Sequence, residues 1–486
     1  MMTLPGVMPL PTGADLVPIL PEIVLCVAAF GLLLADLFVD AKRRGLIHFL
    51  ALLSLLVTAL LVGRGLTAEP ISAFGGMFVR DTLADVLKIS MCLTTGLALS
   101  YARPYLTERG LMAGEFYAIV LFALLGMMVM VSAGNMVTLY LGLEMLALSS
   151  YGLVAMDRDN KVSSEAAMKY FVLGALASGL LLYGMSMIYG ATGSLGLEAI
   201  HQAAASSSDR TLLLFGVVFV LVGVSFKFGA APFHMWVPDV YQGAPTAITL
   251  FIGSVPKIAA FGFAYRLLES GLGPTSPEWS QMVAWLALLS LVIGNLLALA
   301  QTNLKRMLAY STISHVGFLF MALANAGPTG YSAAMFYAIS YAISAAAAFG
   351  AIILMSRQGF EAESIADYKG LWQRSPFHAT LILIVMASLA GLPPLLGFWA
   401  KLEAIRAAVQ ADLLWLVLAG VVMAVIGAFY YLRVIKVMFF DEAERDMAVV
   451  HADGTLRFVF AANAIALLVL GVFANLIMAW TRAAFA

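Results

Sequence analysis

Residues 212–233 read Leu-Leu-Leu-Phe-Gly-Val-Val-Phe-Val-Leu-Val-Gly-Val-Ser-Phe-Lys-Phe-Gly-Ala-Ala-Pro-Phe, an apolar run that meets one lysine and then a glycine–proline stop. A run of this kind approaches the ~20 residues an α-helix needs to cross ~30 Å of hydrocarbon. Lys227 falls two residues ahead of Gly229, and Pro232 follows. Proline inside a helix removes a backbone donor and collides with the preceding turn. The pattern is that of a membrane helix broken beside a charge.

The same window moved along the chain finds about fourteen such segments, near 16–38, 46–63, 82–101, 113–131, 135–155, 165–189, 211–228, 246–268, 281–300, 304–324, 331–356, 376–407, 412–439 and 457–480. Composition agrees. Hydrophobic residues make up 62% of the 486 and charged residues 11%, against roughly 25% charged in soluble domains. A soluble fold could not hide that apolar surface, so an all-α polytopic membrane domain over 1–486 is expected. A net charge of -1 leaves no basic face for nucleic acid. Cys26 and Cys92 lie in apolar runs and read as packing residues, with no metal cluster implied. The stretch 16–37 lacks the basic start of a signal peptide and reads as a retained first span.

Basic residues set the orientation. One set of alternate loops holds Lys42, Arg43, Arg44, Arg103, Arg109, Arg158, Lys161, Lys305, Arg306, Arg357, Lys369, Arg374, Arg433, Lys436, Arg445 and Arg457. The other holds only Arg64, Arg80, Arg210, Arg266, Arg406 and Arg482. Cytoplasmic loops are the ones enriched in Lys and Arg. Both termini are therefore expected on the outer, periplasmic side of a bacterial inner membrane, with an even number of spans.

A faint repeat runs through the chain. Ser149, Ser150 and Gly152 are matched by Ser314, His315 and Gly317, each 165 positions on. Gly229-Ala230-Ala231-Pro232 with Trp236 is echoed by Gly391-Leu392-Pro393-Pro394 with Trp399. Chance in a low-diversity sequence and a duplicated unit of about five helices are both open on these residues. Transporters use such repeats, with broken helices near the binding site. In lipid a freed carbonyl costs several kcal/mol unless protein or water satisfies it, so the breaks at Pro232 and Pro393-Pro394, and the interruption at Pro256, are expected to open short hydrated gaps.

Charges stand beside these breaks. Glu144, Lys227, Lys257 and Lys401 all fall well inside apolar segments. Insertion scales put a charge at a helix centre at roughly 2.5–3.5 kcal/mol, so four amount to on the order of 10 kcal/mol, comparable with a domain's whole net stability. Ion pairs that merely fix packing are the plainer reading, most plausible for Glu144 with Lys227. Burial disfavours the charged form of both amines and carboxylates, and a nearby opposite charge restores it. Lysines poised in this way can load and release a proton. His234, His315, Tyr241, Ser311 and Ser314 are candidate relays. Asp81, Asp85 and Lys88 read as a local ion cluster at the start of the third span. Glu115 and Glu165 suit helix starts, where a carboxylate meets the positive end of the dipole. Residues 361–374 read as a short amphipathic surface helix. The chain carries no phosphate-binding loop, dinucleotide fingerprint or metal-ligand cluster, so the driving energy must be captured elsewhere.

Four stretches together resemble a known family: 141–151 (Leu-Gly-Leu-Glu-Met-Leu-Ala-Leu-Ser-Ser-Tyr), 226–245 (Phe-Lys-Phe-Gly-Ala-Ala-Pro-Phe-His-Met-Trp-Val-Pro-Asp-Val-Tyr-Gln-Gly-Ala-Pro), 303–317 (Asn-Leu-Lys-Arg-Met-Leu-Ala-Tyr-Ser-Thr-Ile-Ser-His-Val-Gly) and 391–401 (Gly-Leu-Pro-Pro-Leu-Leu-Gly-Phe-Trp-Ala-Lys). They are similar to the antiporter-like membrane subunits of respiratory complex I, the NADH:quinone oxidoreductase. Lys401 argues against subunit M, the length against subunit L, and Leu20-Pro21-Glu22-Ile23-Val24-Leu25 resembles subunit N.

The resemblance implies two inverted five-helix repeats, 111–270 and 279–440, with the seventh and twelfth helices broken. A three-helix segment over 1–110 precedes them and a C-terminal helix lies within 441–486. It also implies a Glu144–Lys227 pair, Lys257 as central relay and Lys401 as terminal proton-exchange group. Lys305 matches the family motif but falls at an expected cytoplasmic edge. The chain would then be a proton-translocating module of a translocase, carrying no cofactor itself. FMN, iron–sulfur clusters, NAD and quinone would belong to partners. Those partners would be a neighbouring antiporter-like subunit and small membrane subunits toward the quinone site. A multi-subunit cation/proton antiporter shares these motifs and is the rival function. A scaffold that only holds partners together is a second.

Overall fold

The computed structural model describes residues 13–40, 44–66, 69–206, 209–442 and 453–485; Lys42, Arg43 and Arg445 lie outside them. Nearly all regular structure is helical. The first helices are α1 (Gly13–Leu16), α2 (Leu20–Asp36), α3 (Gly45–Arg64), α4 (Thr82–Glu108), α5 (Gly114–Val131), α6 (Met136–Val154) and α7 (Lys161–Thr192). Then come α8 (Leu197–Ala205), α9 (Arg210–Phe228), α10 (Trp236–Gly243), α11 (Thr246–Tyr265), α12 (Ser276–Leu299), α13 (Leu304–Leu323) and α14 (Pro328–Met355). The last are α15 (Leu371–Arg374), α16 (Pro376–Ala390), α17 (Leu396–Gln410), α18 (Leu414–Phe440), α19 (Gly454–Val472) and α20 (Asn475–Ala483).

Eleven helices among the described residues are long and apolar enough to cross a membrane by length and composition. That is fewer than the fourteen segments read from hydropathy. The other three expected segments differ in ways that explain the gap. Leu20–Asp36 is 17 residues. Leu304–Leu323 begins with Lys305 and Arg306, which dilute its hydropathy. The segment 376–407 is split into α16 and α17 around Gly391.

Two further departures are local. Ile71–Ala73 and Phe78–Arg80 form a small antiparallel hairpin, β1 and β2, so the chain is not wholly helical. Gly75 and Gly76 take positive φ in its turn, a conformation glycine reaches without a Cβ penalty. The expected amphipathic helix over 361–374 is instead a 3-10 turn, Ile365–Tyr368, followed by the single turn α15. Gly370 at φ +64° separates the two, so no helix can run through.

Helix starts follow the sequence closely. Asp81, Asn135, Asn160, Asp209, Asn303 and Asp453 each accept a hydrogen bond from a backbone N–H in the first turn of α4, α6, α7, α9, α13 and α19. These caps satisfy donors that lipid cannot. Gly229 (φ +73°) and Gly391 (φ +88°) end α9 and α16 in the left-handed region, the usual role of glycine after a helix.

Burial is uneven. The span Thr246–Gly271 is fully enclosed and Pro328–Met355 nearly so, while Gly45–Arg64, Lys161–Thr192 and Leu414–Phe440 are mostly open. Hence α11 and α14 form the centre, and the outer helices leave apolar faces exposed. The expected ion cluster near the start of α4 resolves into three separate pairs: Arg80–Asp85 at 3.1 Å, Lys88–Glu22 at 2.6 Å and Arg266–Asp81 at 2.7 Å.

Candidate functional site

Both helix breaks leave carbonyls at helix C-termini, and a lysine amine reaches each. Lys257 on α11 donates from Nζ to Phe228 O, the last residue of α9, at 2.6 Å. Lys401 on α17 donates to Leu389 O at 3.0 Å and Ala390 O at 2.9 Å, the end of α16. Lys305 on α13 donates to Ala244 O, just past α10, at 2.5 Å. Carbonyls at a helix C-terminus carry partial negative charge that favours a cation. An amine donates through N–H whether it is charged or neutral, so each contact survives a change of protonation.

Around Lys257 the site is aromatic. Its Nζ stands 5.6 Å from the Trp236 ring centroid, and Trp236 stacks on Tyr170 at 4.6 Å. Trp236 Nε1 donates to Phe226 O at 3.0 Å, taking up another carbonyl at the end of α9. Glu144, Ser178, Lys227, Tyr151, Tyr170 and Trp236 line one cavity of about 30 Å³, room for roughly one or two waters. Ser178 donates to the Glu144 carboxylate and hydrogen-bonds Tyr140 OH at 2.9 Å. No ion pair within 4.0 Å joins Glu144 to Lys227 among the described residues, so the shared cavity separates them. Both side chains are half-buried, less enclosed than their apolar sequence context implied, because their helices α6 and α9 are themselves only about half enclosed.

The second group surrounds His315. Its Nδ1 lies 2.7 Å from Tyr337 OH and its Nε2 3.1 Å from Tyr431 OH. Tyr431 OH is in turn hydrogen-bonded to Ser311. A pinhole cavity of about 10 Å³ runs between His315, Tyr337, Ser340, Ser388 and Leu389. Leu389 also receives the Lys401 amine, so this cavity joins the histidine to the second break. Ser340 Oγ is buried and unpaired among the described residues. Lys401 sits 5.3 Å from the Phe318 ring.

Between the two groups Phe228 meets Phe320 edge to face at 5.1 Å. No direct hydrogen bond links the groups among the described residues. Among the described residues, the Tyr241 hydroxyl and the Nδ1 atom of His234 are buried and make no hydrogen bond. Ser314 is buried where α12 and α13 cross, its backbone N–H lying 2.5 Å from where a Gly294 Cβ would stand. Lys305 is 3% exposed rather than at an edge. The loop after α14 covers it, through Ile365 N to Thr302 O at 3.0 Å and Leu304 N to Glu363 O at 2.5 Å. Sequence reasoning missed Ser178, Trp236, Tyr337 and Tyr431. Nothing in spacing separates these two tyrosines from the chain's other fifteen.

The break near Lys401 is closely packed. A Cβ on Gly397 would stand 2.0 Å from Ser388 O, and that atom is backbone. Gly397→Ala should destabilise the assembled protein by about 1–3 kcal/mol, as overpacked cores are, seen as a lower thermal midpoint and a lower yield. Wild-type stability in this variant would show that α16 and α17 are not held at this separation.

The family model described as NADH:quinone oxidoreductase/Mrp antiporter, TM, matches residues 133–427. A second, described as NAD(P)H-quinone oxidoreductase subunit 2 N-terminal, matches 15–102. NADH-quinone oxidoreductase subunit N of Xanthomonas euvesicatoria pv. vesicatoria is 58% identical, over 100% of this chain and 99% of its own. The chain belongs to the subunit N group of that family. A chain of Thermus thermophilus respiratory complex I is 31% identical, with TM-score 0.80 over 94% of this chain and 98% of its own. A chain of the Mrp complex from Dietzia sp. DQ12-45-1b, 22% identical with TM-score 0.81 over 96% and 97%, shares the fold. Subunit N relatives thus match this chain over its whole length, through the Glu144 helix and both broken helices alike.

Proposed function

We propose that the chain is the proton-translocating subunit N module of a bacterial NADH:quinone oxidoreductase, and that Glu144, Lys227, Lys257 and Lys401 carry the proton. The observation that supports this reading is the placing of Lys257 and Lys401 on the end carbonyls of two broken helices. Such an amine holds its place while gaining or losing a proton. Glu144 tunes Lys227 across the shared cavity. His315 with Tyr337 and Tyr431, and Lys305 beneath Ala244, are relays between the charged groups. A hydrated step past Phe228 and Phe320 joins the two clusters when a water enters. On this reading 111–270 and 279–440 are the two inverted repeats, 1–110 and 441–486 flank them, and both termini face the periplasm.

FMN, iron–sulfur clusters and the quinone site belong to partner subunits, and a neighbouring antiporter-like subunit and small membrane subunits flank this one. Quinone reduction there changes the charge or hydration at one end of the row. Glu144→Ala and Lys227→Ala, each in the assembled complex, should reduce protons pumped per NADH several-fold. Full pumping in both variants would end the proposal. Sodium transport persisting without NADH or quinone would favour the cation/proton antiporter instead.

A further inference from the structure

Away from the lysine row, a cavity of about 900 Å³ opens between the first turns of α3 and α19 and the last turns of α4 and α14. That is at the large end of the ~300–1,000 Å³ typical of ligand sites. Its lining is divided. Arg44, Arg103 and Arg109 stand at one end, and the wall continues along Leu52, Leu456 and Val459. Two acids also line it. Asp453 Oδ1 accepts from Leu456 N at 2.7 Å. Glu108 Oε1 accepts from Gln358 N at 3.0 Å, and its Oε2 is 3.7 Å from Arg109. Both carboxylates are therefore engaged.

Two of the three guanidiniums are engaged as well. Arg109 pairs with Glu361 at 2.8 Å, and Arg44 donates to Met112 O. The exposed Arg103 guanidinium has no ion pair or hydrogen bond among the described residues. At the cavity's margin, Phe49 and Phe458 are 60% and 73% exposed, an apolar surface of the kind acyl chains would cover.

A free anion would use the arginine and leave the apolar wall idle. A hydrocarbon would use the wall and leave the guanidinium unpaired. We infer that the cavity binds an anionic phospholipid, its phosphate on Arg103 and its acyl chains along Leu52 and Val459. Guanidinium groups match phosphate oxygens in charge and geometry, and basic pockets between membrane helices select anionic head groups. The inference is independent of the proton row.

The test uses the assembled complex in phosphatidylcholine vesicles carrying a photoactivatable phosphatidylglycerol. Label is expected on peptides containing Leu52 or Phe458. It should fall about fivefold or more in Arg103→Glu, the effect of one basic contact on an anionic lipid, and persist in Arg103→Lys. Should Arg103→Glu not assemble, Leu52→Trp fills the cavity without changing charge and should reduce the label likewise. Three results overturn the inference: no label on these peptides, equal labelling by a photoactivatable phosphatidylcholine, or complete competition by inorganic phosphate, which would mark a free-anion site. Label carried only by a neighbouring subunit would also overturn it, since protein would then cover the cavity.

Discussion

Replacing Lys257 with methionine should cut NADH-driven proton pumping by roughly tenfold, less than the ~10²–10⁴ typical of a positioned proton-transfer group because water can bridge part of the gap. Lys257 sits on α11, the fully enclosed centre of the bundle, and is 2% exposed. No acidic side chain lies within ion-pairing range of it among the described residues. Its hydrogen bond is the one at 2.6 Å to Phe228 O. Methionine removes both the titrating group and the cap on that carbonyl. An unpaired buried carbonyl costs about 1–3 kcal/mol, so a poorly assembled variant would confuse structure with transport. Lys257→Gln separates the two. Its amide can still donate to Phe228 O but cannot accept a proton at working pH. The expected pattern is normal assembly with lost pumping in Lys257→Gln, and lost pumping with weaker assembly in Lys257→Met. Pumping at the wild-type level in the glutamine variant would reduce Lys257 to a cap.

Much of this was legible in the chain before any coordinates. An apolar run long enough to span a membrane is set by length and hydropathy alone, and helix starts such as Asn303 and Asp209 by local hydrogen bonding. The breaks were legible because glycine and proline act locally at 229–232 and 391–394. Burial rank was not. The α11 and α14 segments are about as apolar as α7, yet only tertiary packing decides that α11 is enclosed and α7 is left mostly open. For the same reason Glu144 looked as deep as Lys257 and is not. Lys305 looked peripheral because it stands at a helix start, and it is buried because a distant loop folds over it. Partners joined across the chain, such as His315 with Tyr431, 116 residues apart, carry no periodicity that a sequence could display.

The pair Lys88–Glu22 decides whether every buried charge here belongs to transport. Its atoms are 2.6 Å apart, and the side chains are 1% and 3% exposed. Lys88 also faces the Phe78 ring at 4.9 Å. Among the described residues neither is hydrogen-bonded or ion-paired to the lysine row, and the pair joins α2 to α4. Removing one member of a buried pair typically costs about 3–5 kcal/mol, whereas replacing both by apolar residues is often neutral or better. Lys88→Met alone should therefore destabilise the subunit by that amount, visible as a lowered thermal midpoint of the purified complex. Glu22→Leu combined with Lys88→Met should regain most of it, because no uncompensated charge remains in the core. Pumping in the double variant should match wild type. A stable double variant that fails to pump would make Glu22–Lys88 a second acid–base switch. A double variant no more stable than Lys88→Met would mean that the ion pair itself, and not the burial of a lone carboxylate, holds α2 in place.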